Sequence, residues 1–203
     1  MGPENIRFGG GSAVTVLHPL VAVAMVLAVV LILSVRREYI MVPLLLALFL
    51  IPKPQQLVLA GLHFNVYRII ILAGLGRWVV SGRWSQLAGG FNFMDRACVA
   101  LFVSYFCTIS LLFMQTQATI KNTGDLLDAL GGYIVMRFLI RDREDIKQAL
   151  KVFAVIALVN AVYMVNEQRT GINLFARLGG IDEGSQVRDG KIRSQGAFGQ
   201  FLT

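Results

Sequence analysis

The chain alternates long apolar runs with short polar or charged segments. The first run, residues 14–35, is long enough as a helix to cross the roughly 30 Å hydrocarbon core of a bilayer. Five further apolar runs follow at about residues 39–51, 57–80, 97–114, 126–140 and 149–165. This pattern predicts an all-α fold, namely a polytopic membrane protein with about six transmembrane helices.

Composition supports the same class. Apolar residues make up 56% of the chain and charged residues 15%, and the mean hydropathy is +0.65. Soluble domains carry roughly 25% charged residues. The composition therefore excludes a disordered chain and a basic nucleic-acid-binding domain, and it disfavours any soluble globular domain. In a membrane protein, the net charge of +7 reports mainly on loop orientation, so no nucleic-acid partner is predicted.

The basic residues are distributed unequally between alternate loops. The first, third and fifth loops hold ten Lys and Arg side chains, whereas the N-terminal lead and the second and fourth loops hold three. The positive-inside rule then predicts an external lead (residues 1–13), a helical bundle (14–165) and an extracytoplasmic C-terminal segment (166–203). If the run at 39–51 or at 126–140 does not cross, the later loops change sides.

Arg68 lies inside the third apolar run. Because a charge within a span is costly, it normally faces the bundle interior, pairs with another charge or lines a polar cavity. A functional role is one interpretation; the alternatives are an ion pair with Asp128 or Asp95, or an arginine that reaches the nearer interface. We interpret Arg137 as an interface anchor, and we expect Asp142 to cap the last helix.

The C-terminal segment changes abruptly to a polar, glycine-rich and basic composition. Arg188, Lys191 and Arg193 occur close to several glycines. Glycine lets backbone amides approach a ligand, and the planar guanidinium of arginine matches phosphate oxygens, so the segment suits an anionic lipid-linked substrate. The alternative is a solvated linker whose charges meet lipid headgroups. No His/Cys cluster has metal-ligand spacing, and neither a metal nor a cofactor is predicted.

Four motifs together resemble the O-antigen ligase and polymerase superfamily of bacterial membrane proteins. The family signature of arginine, two residues, glycine, one residue and phenylalanine is matched by Arg193, Gly196 and Phe198. The other three motifs are Glu167-x-x-Thr-Gly-x-Asn-Leu-Phe, Arg141-x-x-Glu-Asp-Ile-Lys-x-x-Leu, and Arg68 within Val66-Tyr-Arg-Ile-Ile-Ile-Leu. The chain departs from the family at Gln200 and Phe201, where many relatives have histidine or asparagine followed by proline.

The resemblance implies a multi-pass glycosyltransferase of the bacterial cytoplasmic membrane, acting as ligase or as polymerase. Its partners would be an undecaprenyl-diphosphate-linked glycan and an acceptor sugar, besides membrane lipids. Arg193 would bind the diphosphate with help from Arg188 and Lys191, while Gly196 and Phe198 would shape the loop. The family has about a dozen spans with its catalytic residues largely in the later half, so the chain is expected to be an N-terminal half, inactive alone.

Two other classes remain open from the residues themselves. One is half of a transporter or flippase, and the other is a non-enzymatic integral membrane protein. Transporters are commonly built from internal repeats with paired broken spans. The first and last three apolar runs show no convincing self-similarity, which disfavours a transporter.

Overall fold

The computed structural model describes residues 17–52, 55–59, 62–82, 87, 89–179, 186–188 and 191–198. The helices are α1 (Pro19–Ser34), α2 (Arg37–Leu50), α3 (Val66–Val80), α4 (Phe93–Phe113), α5 (Thr116–Leu139) and α6 (Arg143–Thr170). A 3₁₀ turn spans Leu174–Leu178, and four short strands are β1 (Gln56–Leu59), β2 (Leu62–Asn65), β3 (Gln186–Arg188) and β4 (Lys191–Arg193). Helices dominate this part of the chain, which confirms the predicted all-α class.

Among the described residues, two helices are long and apolar enough to cross a membrane, judged by length and composition. They are α4, with 21 residues, and α6, with 28. Helix α1 is also apolar but has 16 residues. In helix α4, Asp95 is the buried residue and most of the others are exposed, so its apolar surface is suited to lipid contact. The arrangement with six spans stays a prediction.

The predicted bounds of the third run are wrong. Residues 56–65 form an antiparallel hairpin that pairs Gln56 with Asn65 and Leu59 with Leu62, and helix α3 begins only at Val66. A short apolar run is compatible with a strand as well as with a helix, so hydropathy alone does not separate the two.

The bounds of the fifth and sixth runs also change. Helix α5 begins ten residues before the predicted run, because its polar first half buries Ala118 and Asn122, one helical turn apart, inside the protein. Helix α6 begins earlier than its run, after the predicted cap: the Asp142 carboxylate accepts hydrogen bonds from the amides of Glu144 and Asp145. It continues to Thr170, so residues 166–170 belong to the bundle and not to the C-terminal segment. The lead, residues 1–13, lies outside the described residues.

The core lies between α1, α2, α3, α5 and α6. Its most deeply buried apolar side chains are Ile32, Ile40, Met41, Leu44, Leu45 and Ile70. Helices α3 and α5 approach closely at two glycines: a Cβ at Gly74 would lie 2.9 Å from Val135 Cγ1, and one at Gly131 would lie 2.8 Å from Ile71 Cγ2. Small residues of this kind allow helix backbones to pack closely in membranes.

The bundle has two distinct ends. At the first, which we call the arginine end, the Arg77 guanidinium donates to the Val35 carbonyl at 2.9 Å and Arg37 donates to the Leu139 carbonyl at 2.9 Å. The other end, which we call the hairpin end, contains the β1–β2 hairpin, the start of α1 and the C-terminus of α6. Successive helices run between these ends in alternating directions.

Candidate functional site

Residues 194–198, which we call the motif segment, follow β4 and pack against α6 at the hairpin end. Glu167, 1% exposed, lies in the last turn of α6. Its carboxylate accepts hydrogen bonds from the backbone N–H of Gln195, at 3.0 and 3.1 Å, and of Gly196, at 2.9 Å. A buried carboxylate therefore binds the motif segment through its backbone, independently of the side chains there.

Further contacts hold the segment on both sides of Gly196. The Asn173 amide donates to the Gly196 carbonyl at 3.0 Å, and the Ser194 hydroxyl donates to the Met164 carbonyl at 3.1 Å. The Phe198 ring packs edge-on against Phe49 of α2, with centroids 6.4 Å apart. The motif segment is thus tied to both α2 and α6.

Gly196 is the position in the motif segment where only glycine fits well. Its φ is +57°, in the left-handed region, and a Cβ there would lie 3.2 Å from Met164 Cγ. Both the backbone conformation and the close approach to α6 disfavour a side chain.

The three candidate cations lie on the β3–β4 hairpin that precedes the motif segment. The backbone register pairs Arg188 with Lys191 and Gln186 with Arg193. Arg193 is therefore the cation directly next to the anchored segment. The side chains of Arg188, Lys191 and Arg193 lie outside the described residues.

A buried glutamine connects three parts of the hairpin end. The Gln55 side chain, 0% exposed, accepts a hydrogen bond from the His18 backbone N–H at 2.9 Å. Its amide donates to the carbonyls of Leu178 and Gly179 at 2.6 and 2.7 Å. Gln55 thus joins the start of α1, the β1–β2 hairpin and the 3₁₀ turn that leads towards the motif segment.

Arg68 forms a two-point ion pair with Asp128 of α5. The Nε–Oδ1 and Nη2–Oδ2 distances are 3.0 and 2.7 Å, and the two side chains are 16% and 17% exposed. The guanidinium fits because Gly124 lacks a side chain: a Cβ there would lie 2.5 Å from Nη2. Of the interpretations left open for Arg68, the ion pair with Asp128 is the one observed.

Two more ion pairs join helices at the arginine end. Arg137 binds Asp95 through two bonds of 2.9 and 3.0 Å, and the Tyr133 hydroxyl donates to the same carboxylate. Arg37 binds Asp145 at 3.0 Å. Arg137 is therefore held by a carboxylate on the neighbouring helix, and its role as an interface anchor stays a prediction. These pairs neutralise charged side chains between helices, which gives these residues a structural role.

Sequence reasoning missed the positioning roles of Glu167, Asn173 and Gln55. Glu167 and Asn173 both occur in a motif that carries the family resemblance, but their contacts join residues more than twenty positions apart. Gln55 carries no comparable signal. Within the described part of the chain, no three His, Cys, Asp or Glu side chains are grouped so that they could hold a metal ion.

Comparisons of the chain with protein-family models, with curated proteins and with solved structures find no match. A function for this chain is therefore inferred from its own residues and motifs.

Proposed function

We propose that the chain forms the membrane-embedded part of a glycosyltransferase that uses an undecaprenyl-diphosphate-linked glycan. The reaction would take place on the extracytoplasmic side of the bacterial cytoplasmic membrane. The observation that carries the proposal is the anchoring of the motif segment: the buried Glu167 carboxylate binds its backbone at the end of the bundle opposite the arginine end. That geometry supports a built loop in preference to a solvated linker.

The orientation we propose follows from the two ends of the bundle. The arginine end carries most of the basic side chains of the helices and their connections, so the positive-inside rule assigns it to the cytoplasm. The hairpin end, with the motif segment, then faces outwards. A donor carried by a polyprenyl chain would present its diphosphate at that surface, level with the ends of α2 and α6.

The chemistry requires stabilisation of a departing diphosphate. An acceptor sugar hydroxyl attacks the anomeric carbon, the bond from that carbon to the diphosphate oxygen breaks, and the hydroxyl proton passes to water or to the released diphosphate. Cationic side chains stabilise the negative charge that develops on the leaving group. In our proposal Arg193 binds the diphosphate, Arg188 and Lys191 assist, and Gly196 and Phe198 hold the loop against the bundle. We do not assign this role to Arg68, because Asp128 pairs with it through two contacts.

The test is binding of undecaprenyl diphosphate to the purified protein in detergent. We expect Arg193→Ala to weaken binding by about 2 kcal/mol or more, as for removal of one partner of a buried charge contact. Arg193→Lys should restore little of the affinity, because lysine cannot make the two-point contact with phosphate. Arg177→Ala is the matched control, since Arg177 is exposed near the same end of the bundle.

Equal affinities of the parent protein, Arg193→Ala and Arg177→Ala would remove Arg193 from the site and refute the donor-loop proposal. Vesicles reconstituted with the protein and an undecaprenyl-diphosphate-linked glycan then separate an enzyme from a transporter. A transporter would move the lipid-linked glycan across the bilayer and leave its glycosidic bond to the diphosphate intact.

A further inference from the structure

A cavity of about 760 Å³ opens at the arginine end, far from the motif segment. Four of its lining residues are arginines, namely Arg36, Arg37, Arg77 and Arg141, and one is acidic, Glu38. The cavity lies where the ends of α1, α2, α3 and α5 meet. Asp145 pairs with Arg37, so the positive charge of the lining comes mainly from Arg36, Arg77 and Arg141 and exceeds the single negative charge of Glu38, which favours an anionic ligand.

Backbone carbonyls at helix ends hold three of these arginines in place. Arg77 donates to the Val35 carbonyl at 2.9 Å, Arg37 to the Leu139 carbonyl at 2.9 Å, and Arg141 Nε to the Phe138 carbonyl at 3.3 Å. The guanidinium of Arg141 also lies 5.3 Å from the centre of the Phe138 ring. A guanidinium has five N–H donors, so the bond to Val35 leaves Arg77 with further donors. These three arginines are thus positioned before a ligand arrives.

Apart from Ser81, the rest of the lining is apolar and open to the surroundings of the bundle. Leu33 and Val80 line the cavity, with 48% and 85% of their surface exposed, next to Phe138. A soluble anion gains little from such walls, whereas a lipid places its phosphate among the arginines and its acyl chains along the leucine and valine. The combination selects an amphipathic anion.

We propose that this cavity binds the phosphate headgroup of an anionic phospholipid in the leaflet at the arginine end. Basic pockets between helices on the cytoplasmic side of membrane proteins commonly hold such headgroups. The proposal depends on the helices lying in a bilayer and is independent of the reaction at the hairpin end.

Native mass spectrometry of the detergent-purified protein tests the proposal, with phosphatidylglycerol and phosphatidylcholine of identical acyl chains as probes. We expect Arg36→Gln to weaken phosphatidylglycerol binding about fivefold, and Arg36→Gln combined with Arg77→Gln to weaken it about 25-fold. The matched control combines Arg96→Gln with Arg143→Gln, two exposed arginines at the same end that do not line the cavity. It should change binding less than twofold.

Three results would overturn the proposal. Equal losses of phosphatidylglycerol binding in the two double variants would show that the lipid is attracted to the whole basic surface and not to the cavity. Equal binding of the two lipids would show that the headgroup charge does not matter. Displacement of phosphatidylglycerol by inorganic phosphate would assign the cavity to a free anion. Arg36 is exposed, so the single Arg36→Gln variant keeps the test valid if the Arg77 substitution disturbs folding.

Discussion

Replacement of Glu167 by alanine should release the motif segment from α6. The carboxylate is buried and accepts hydrogen bonds from two backbone N–H groups at 2.9 to 3.1 Å. A hydrogen bond to a charged group contributes about 1.5–3 kcal/mol. In the variant, water enters the site and forms some of the hydrogen bonds that the carboxylate made. We therefore expect the free energy of local opening to fall by about 3 kcal/mol.

Hydrogen–deuterium exchange of the peptide that contains Gln195 and Gly196 measures this opening. Since about 1.4 kcal/mol corresponds to a tenfold change in an equilibrium constant, protection of these amides should fall about a hundredfold in Glu167→Ala. Glu167→Gln keeps one carbonyl acceptor, so protection of the same amides should fall only about tenfold. Amides in the middle of α3, around Ile70, should keep their protection in both variants, because that packing does not involve Glu167.

Glu144→Ala is the matched control for the same helix. Glu144 lies in the first turn of α6, pairs with Lys147 at 2.7 Å and has a side chain 78% exposed. Its replacement should leave exchange in the motif segment unchanged, because exposed ion pairs contribute little. Unchanged protection at Gln195 and Gly196 in Glu167→Ala would refute the reasoning that this carboxylate holds the segment.

Two further predictions concern the bundle itself. Asp128→Ala should lower the free energy of unfolding by about 3 kcal/mol, because it leaves the Arg68 guanidinium largely buried without its carboxylate. Denaturation in detergent checks this, and adding Arg68→Ala should cost less than the sum of the two single losses; strict additivity would contradict the pairing. For topology, in a variant without native cysteines, an impermeant maleimide should label Ser12→Cys and Ser185→Cys from outside the cell but not Ser81→Cys. Labelling of Ser81→Cys alone would reverse the proposed orientation.

Local features of the sequence were sufficient for the helical class and for several helix ends. Apolar runs and helical spacing depend on neighbouring residues, so residues 97–114 cover α4 except for its first turn, and residues 149–165 form the central part of α6. The Asp142 cap is likewise a local interaction, since its carboxylate binds amides two and three residues away. The unequal distribution of Lys and Arg is a property of the sequence alone.

Hydropathy does not predict the secondary structure of a segment whose pattern is compatible with more than one conformation. Residues 57–59 and 62–64 are mostly apolar and suit either a helix or a hairpin, and cross-strand pairing selects the hairpin. The first half of α5 is polar enough to be overlooked, yet burial of Ala118 and Asn122 against the bundle makes it helical. In both cases contacts with other parts of the chain outweigh local preference.

The contacts that define the candidate site are decided by tertiary structure. Arg68 and Asp128 are 60 residues apart in the chain, and Glu167 and Gly196 are 29 apart. Sequence limits the possible partners by charge, as it did for Arg68, but the packing of α3 on α5 places Asp128 beside that guanidinium. In the same way, the sequence by itself determined a signature ending in Gly196 and Phe198, whereas the fold brought Glu167 to its backbone. Buried polar groups require partners, and only the packed helices determine which of them are within reach.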